Sequence, residues 1–188
     1  MDGRMEMYDL SIRPRIDLLE EIFGAWRERI GADYDGYRNH VYRMVHCCCA
    51  LHDCSAEDRD KIAIAGAFHD IGIWSDHTVD YLPPSVAQAR AYLAGGPREA
   101  WGAEIARMID LHHKLRRVRD DASPLVEAFR KADLVDFSLG VVRFGLPGSY
   151  IGELKAAFPN AGFHKRLVQL AGGWFRQHPL SAPPFLKW

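Results

Sequence analysis

Apolar residues recur along this chain at spacings of three and four, and no run alternates strictly between hairpin turns, so the pattern predicts an all-helical fold. Ile16, Leu19, Ile22, Phe23, Trp26 and Ile30 form the inner stripe of a helix over about 15–30, with Gly31 as its stop. The polar stretch 31–36 reads as a connection to a second helix over about 37–52, whose buried face carries Tyr37, Val41, Met44, Cys48 and Leu51. Ser55 is the N-cap of a third, with Asp58 where a capping box usually has Glu or Gln. That helix runs through Ile62, Ala65 and Phe68 to His69-Asp70, and Gly72 stops it. A loop over 74–81 and Pro83-Pro84 precede a helix of about 85–94, which ends at Gly95-Gly96. Further helices are predicted over about 98–114, with Trp101, Ile105, Met108 and Ile109 inward, and over 124–138, after a loop 120–123 and a Ser123 N-cap followed by an N1 proline. Two more, about 149–158 and 162–177, lead into a Pro-rich tail that Phe163 and Trp174 are expected to dock.

A length of 188 residues fits one domain with a single core. Hydrophobic residues at 48% and charged residues at 26% are ordinary soluble usage. The net charge of -1 supplies no global positive field for nucleic acid or anionic lipid, so a small anionic ligand held by local charge is the expected partner. Self-association is compatible with all of this. The first fourteen residues contain no apolar run of signal-peptide type, and no segment approaches the ~20 apolar residues of a membrane span. The cysteines, Cys47, Cys48, Cys49 and Cys54, are too bunched for a disulfide framework, and reduced thiols in a cytoplasmic protein are expected. Together with His46 and His52 they also lack the paired spacing of a zinc site, so packing is the better reading. No G-x-S-x-G, P-loop or G-x-G-x-x-G occurs.

The candidate chemistry lies in histidines and aspartates on inward helix faces, where an unpaired polar group costs free energy. His40 flanks the stripe of the second helix, His69-Asp70 ends the third, and Asp133 falls four residues after Phe129 on the same face. Imidazole and carboxylate ligands from three helices can converge on one divalent cation. His112, at about 100° per residue, falls at the centre of the Trp101–Ile109 face and His113 near its edge.

These residues, in the segments YRNHVYRMVH (37–46), AGAFHDIGIW (65–74) and FRKADLVDFS (129–138), resemble the H…HD…D pattern of the HD-domain superfamily. The resemblance covers about 37–138 and implies a helical bundle with one divalent metal on His40, His69, Asp70 and Asp133. It implies a metal-dependent phosphohydrolase acting on a nucleotide or other small phosphate ester. A non-catalytic module on the same scaffold and a di-iron oxygenase are its alternatives. Tandem His112-His113 resembles relatives with two metals, but Pro84-Ser85-Val86-Ala87 stands where their further histidine falls, so one ion is favoured and His112 and His113 become substrate contacts or optional ligands. The loop 74–78 directly follows the His69-Asp70 pair and is placed to close over the site, so Asp76 or His77 could be the acid or base; Ile73 occupies the position of a proton-transfer glutamate in some relatives. Arg43 is expected to meet a substrate phosphate, or else to pair with Asp136. Lys114, with Arg116 and Arg117, could add a phosphate rim, whereas Lys131 points away from Asp133. His164, outside the pattern, reads as a surface or capping residue within reach of the site.

Overall fold

The structure is a computed structural model that describes residues 9–119 and 123–187; the first eight residues and positions 120–122 of the anticipated loop lie outside the described residues. It is all-α, with no strand among the described residues and one isolated bridge between Lys114 and Lys187. The helices are α1 (Asp17–Ile30), α2 (Tyr34–Leu51), α3 (Ala56–Phe68), α4 (Gly72–Ser75), α5 (Leu82–Leu93), α6 (Gly102–Leu111), α7 (Pro124–Phe137), α8 (Gly148–Ala157) and α9 (Phe163–Gln177). No helix is long and apolar enough to cross a membrane.

Helix α2 is the axis of the bundle: 14 of its 18 residues are buried, and it packs along α7 and α3. Helix α6 closes the ring against α3, α5 and α7. The crossing of α2 and α3 depends on Gly66, where an added Cβ would come within 3.2 Å of the side chains of Val41, Met44 and Val45. The start of α3 is fixed locally by a full capping box. Ser55 Oγ accepts from the Asp58 amide at 3.1 Å and Asp58 Oδ2 accepts from the Ser55 amide at 2.9 Å, so Asp serves where Glu is usual.

Several boundaries differ from the sequence expectation, each for a local reason. Gly31 does end α1 with a positive φ of 63°, but a 3-10 turn over Gly31–Asp33 winds directly into α2, which starts at Tyr34 and not at 37. Pro83 and Pro84 lie inside the first turn of α5, where their missing N–H groups cost nothing. Gly72 opens the short helix α4 and does not end α3. An added Cβ at Gly72 would sit 2.3 Å from the Tyr81 carbonyl oxygen, so this close approach of backbone to backbone requires glycine. Helix α6 stops at Leu111, which leaves His112 and His113 on a turn. Ser123 does not cap α7: its hydroxyl donates to Glu104 at 2.6 Å.

The C-terminal part folds back over the bundle. Phe163 is the one buried residue of α9. The Trp174 indole donates to the Ser181 carbonyl at 2.9 Å, so it ties the tail to α9 and does not dock the helix on the core. The tail then reaches the turn after α6, where the Leu115 amide donates to the Lys187 carbonyl at 2.9 Å.

Candidate metal centre

The helices bring the predicted ligands into one buried cluster. His40 comes from the middle of α2, His69 and Asp70 from the turn after α3, and Asp133 from α7; all are at most 4% exposed. His40 Nε2 lies 3.1 Å from His69 Nε2 and 3.6 Å from Asp133 Oδ1, and His69 Nε2 lies 3.2 Å from Asp70 Oδ2. The turn after α6 adds both of its histidines. His112 Nε2 is 3.4 Å from Asp70 Oδ1 and His113 Nδ1 is 3.6 Å from Asp133 Oδ2. Three overlapping sets result, His40/His69/Asp133, His69/Asp70/His112 and His112/His113/Asp133, each with ligand atoms within 4.8 Å of one another.

Hydrogen-bond partners decide what these rings present. His40 Nδ1 donates to Asp136 Oδ2 at 2.7 Å, His69 Nδ1 to the Gly66 carbonyl at 2.7 Å, and His112 Nδ1 to the Ile109 carbonyl at 2.6 Å. Each acceptor lacks a proton, so each neutral ring carries its hydrogen on Nδ1 and offers a bare lone pair at Nε2. Those lone pairs face each other and two carboxylates. Asp70 Oδ1 and His112 Nε2, both acceptors, have no hydrogen-bond partner although buried. Such an arrangement is costly without a cation between the atoms. Ligand bonds of 2.0–2.2 Å at tetrahedral or octahedral angles place neighbouring ligand atoms roughly 2.9–3.5 Å apart, so the donors fit a metal.

Burial pushes the Asp133 carboxyl up, ahead of the lowering influence of the surrounding histidines. Burial also opposes ionisation at Asp70, but His69 and His112 outweigh it and hold that carboxyl well below the usual range. For His69 burial works against charge, yet Asp70 beside it raises the imidazole. Burial holds His40 and His113 low, the neutral forms that ligate.

Arg43 does not face a substrate. It is 3% exposed, its guanidinium forks onto Asp136 (Nε–Oδ1 2.5 Å, Nη2–Oδ2 2.8 Å), and Nη1 donates to the Phe158 carbonyl at 2.7 Å. The ion-pair alternative is the one observed, and Asp136 is likewise removed from the substrate contacts. Burial would raise the Asp136 carboxyl, but the bonds from Arg43 and His40 hold it far below its ordinary value. Asp76 and His77 are exposed and belong to none of the donor sets; Asp76 accepts from Ser75 Oγ at 2.6 Å. Trp74, from the same anticipated loop, is buried and donates to Asp33 Oδ2 at 3.0 Å. Lys114 stays outside the donor sets; its carbonyl accepts from Arg130 Nη1 at 3.2 Å, which anchors the His112–His113 turn to α7. His164 Nε2 donates to the Asp136 carbonyl at 3.0 Å and so does approach the site from behind. Ser85, where a further histidine was sought, is fully buried and accepts from the Gly72 amide at 2.9 Å.

The supporting contacts of four aromatics, Tyr37, Phe163, Tyr81 and Phe185, escaped the sequence reading. The Tyr37 hydroxyl donates to the Ala67 carbonyl at 3.0 Å and accepts from the Asp70 amide at 3.3 Å, which sets the His69-Asp70 turn. Phe163 stacks on the His40 ring, centroids 4.0 Å apart at 14°. Tyr81 Oη lies 2.7 Å from His113 Nε2, and Phe185 of the tail covers both rings with centroids 5.3 Å away. Their spacing marks them as core, and nothing in it reveals the polar partner or the neighbour.

Comparison of the chain with protein-family models, with curated proteins and with solved structures found no match.

Proposed function

We propose that this chain is a metal-dependent phosphohydrolase of the HD type, acting on small phosphate esters. The observation that carries the metal is the crowding of the imidazole nitrogens of His40, His69 and His112 against the buried carboxylates of Asp70 and Asp133, with Asp70 Oδ1 and His112 Nε2 left without a hydrogen-bond partner. The HD pattern of the ligands supports the reaction class. His40, His69, Asp70 and Asp133 would hold the ion. A divalent ion there polarises a phosphoryl oxygen and lowers the pKa of bound water.

The remaining groups have positional roles. Asp136 fixes the tautomer and plane of His40, and Arg43 neutralises Asp136 from the far side. Tyr37 fixes the His69-Asp70 turn. Tyr81 and His113 form a hydrogen-bonded polar pair beside Asp133, which makes them candidates for proton transfer alongside Asp76 and His77.

Because the set of His112 and His113 shares Asp133 with the His40/His69/Asp133 set, and His69 and His112 share Asp70, the donors offer room for a second adjacent ion beside the first. Metal analysis after loading with manganese, iron or zinc distinguishes one ion from two; two irons would turn the reading toward an oxygenase. A phosphate-release screen over nucleotides and sugar phosphates, with His69→Ala as control, tests the activity. Equal background from both folded proteins on all esters would sink the hydrolase reading and leave a binding module.

A further inference from the structure

Beside the metal cluster lies a cavity of about 410 Å³, walled by α9, the tail and the segment after α7. None of its lining residues is Asp, Glu, Lys or Arg. Its wall is built from Leu167, Leu170, Ala171 and Phe185, and its rim includes Phe137, Leu139, Val168 and Phe175, which are 48%, 49%, 71% and 46% exposed. Large apolar side chains left this open next to a hollow are unusual unless something covers them. Helix α9 shows the same deficit: an apolar face carries Leu167, Leu170 and Trp174, yet only Phe163 is buried.

The cavity adjoins the cluster at His113. Tyr81 and His113 line it, and His113 Nδ1 is 3.6 Å from Asp133 Oδ2. A molecule with its polar end at the metal ligands would therefore run its other end along apolar walls. A nucleoside does not suit those walls, because base and ribose would lose water contacts and find only the tips of Tyr81, His113 and His164, all already engaged through one atom. A hydrocarbon suits them. At roughly 30 Å³ for a group the size of a water molecule, the space takes on the order of a dozen carbons.

We propose that the cavity is a subsite for the apolar tail of the substrate, so that the ester cleaved is an amphiphilic phosphate monoester with an alkyl or similar hydrocarbon chain. This rests on the phosphohydrolase reading for its head group, but not for its tail. The reaction is hydrolysis: water oxygen bonds to phosphorus, the bond from phosphorus to the alkyl oxygen breaks, and a proton passes to that oxygen to give an alcohol and inorganic phosphate. The apolar side chains lower the free energy of the bound tail by removing it from water.

The test has two arms, both on the full chain loaded with manganese. In the first, methyl, butyl, octyl and dodecyl phosphonates, which are not hydrolysed, compete with the fluorescent probe N-phenyl-1-naphthylamine. Affinity is expected to rise by up to about fourfold per methylene until the cavity is full. Ala171→Trp, which fills the space, and Val168→Ser at the exposed rim should each flatten that rise, with circular dichroism showing that both fold. In the second arm, phosphate release is measured from the matching alkyl phosphates and from nucleoside monophosphates. Chain-length-dependent binding without release from any ester would keep the apolar subsite and discard the hydrolase. Release that is the same for methyl and dodecyl esters, with flat phosphonate binding, would discard the subsite and keep the hydrolase. Flat binding together with a dimer on sedimentation, or co-sedimentation with phosphatidylcholine vesicles, would overturn the subsite as well, by giving the apolar face another cover.

Discussion

At the scale of single residues, the centre is organised from behind its ligands. Asp136 serves Arg43 and His40 at once, and all three are buried. Asp136→Ala leaves a guanidinium without its partner in the core, which costs about 3–5 kcal/mol, measured as a lower urea midpoint. Asp136→Asn keeps the shape and should weaken metal affinity roughly 10- to 100-fold by loosening the His40 tautomer, measured by calorimetric titration. A second residue prediction concerns Glu20, which accepts from Arg38 and Tyr42. Burial would raise its carboxyl, but those two bonds lower it from 4.5. A lowered folded-state pKa means stability that is present above 4.5 and is lost as pH falls through the folded value. Glu20→Gln should therefore cost on the order of 1 kcal/mol at pH 7, and the gap to wild type should close as pH falls below that point in thermal melts. The candidate ligands were legible because an inward His or Asp stands out on an apolar face. The pairing of Arg43 with Asp136 was legible as one of two alternatives, but not the choice between them, because the Phe158 carbonyl that completes its site lies 115 positions away.

At the scale of elements, helix existence followed from periodicity, and the ends depended on partners outside the window. Ser55 capped as expected, since both halves of a capping box are local. Ser123 did not, because Glu104 of α6 captures its hydroxyl. The turn between α3 and α5 is the most constrained joint: Gly72 meets the Tyr81 carbonyl, Pro84 and Ser85, and its amide is held by Ser85. Gly72→Ala must push these apart and should destabilise by about 1–3 kcal/mol, while Gly24→Ala on α1, where a Cβ meets nothing within 4 Å, should be neutral or slightly stabilising. Chemical unfolding of the two variants side by side checks the contrast; equal effects would mean that the joint is not tight.

At the scale of the whole molecule, the bundle, its order and the docking of the C-terminal part through Phe163 were legible, but its partners were not, because no local pattern says that Phe163 stacks on His40 or that Phe185 covers Tyr81 and His113. The donors come from α2, α7 and the turns after α3 and α6, so an ion binds the folded chain only. At a free metal concentration of 100 times Kd, that adds about 2.7 kcal/mol, or a Tm rise of roughly 5–10 °C for a chain of this size. Calorimetry with added metal should show the rise and a chelator should reverse it; an unchanged Tm with every divalent ion tried would count against the centre itself. The bond between His40 and Asp136 also joins residues 96 positions apart. In terms of time, closing so long a loop precedes any reward from the contact, so the cluster is expected to form after the folding barrier has been crossed. Asp136 variants should then speed unfolding and leave the folding rate nearly unchanged, which makes the lifetime of the native chain, more than its rate of birth, the property that Asp136 and the ring it holds set.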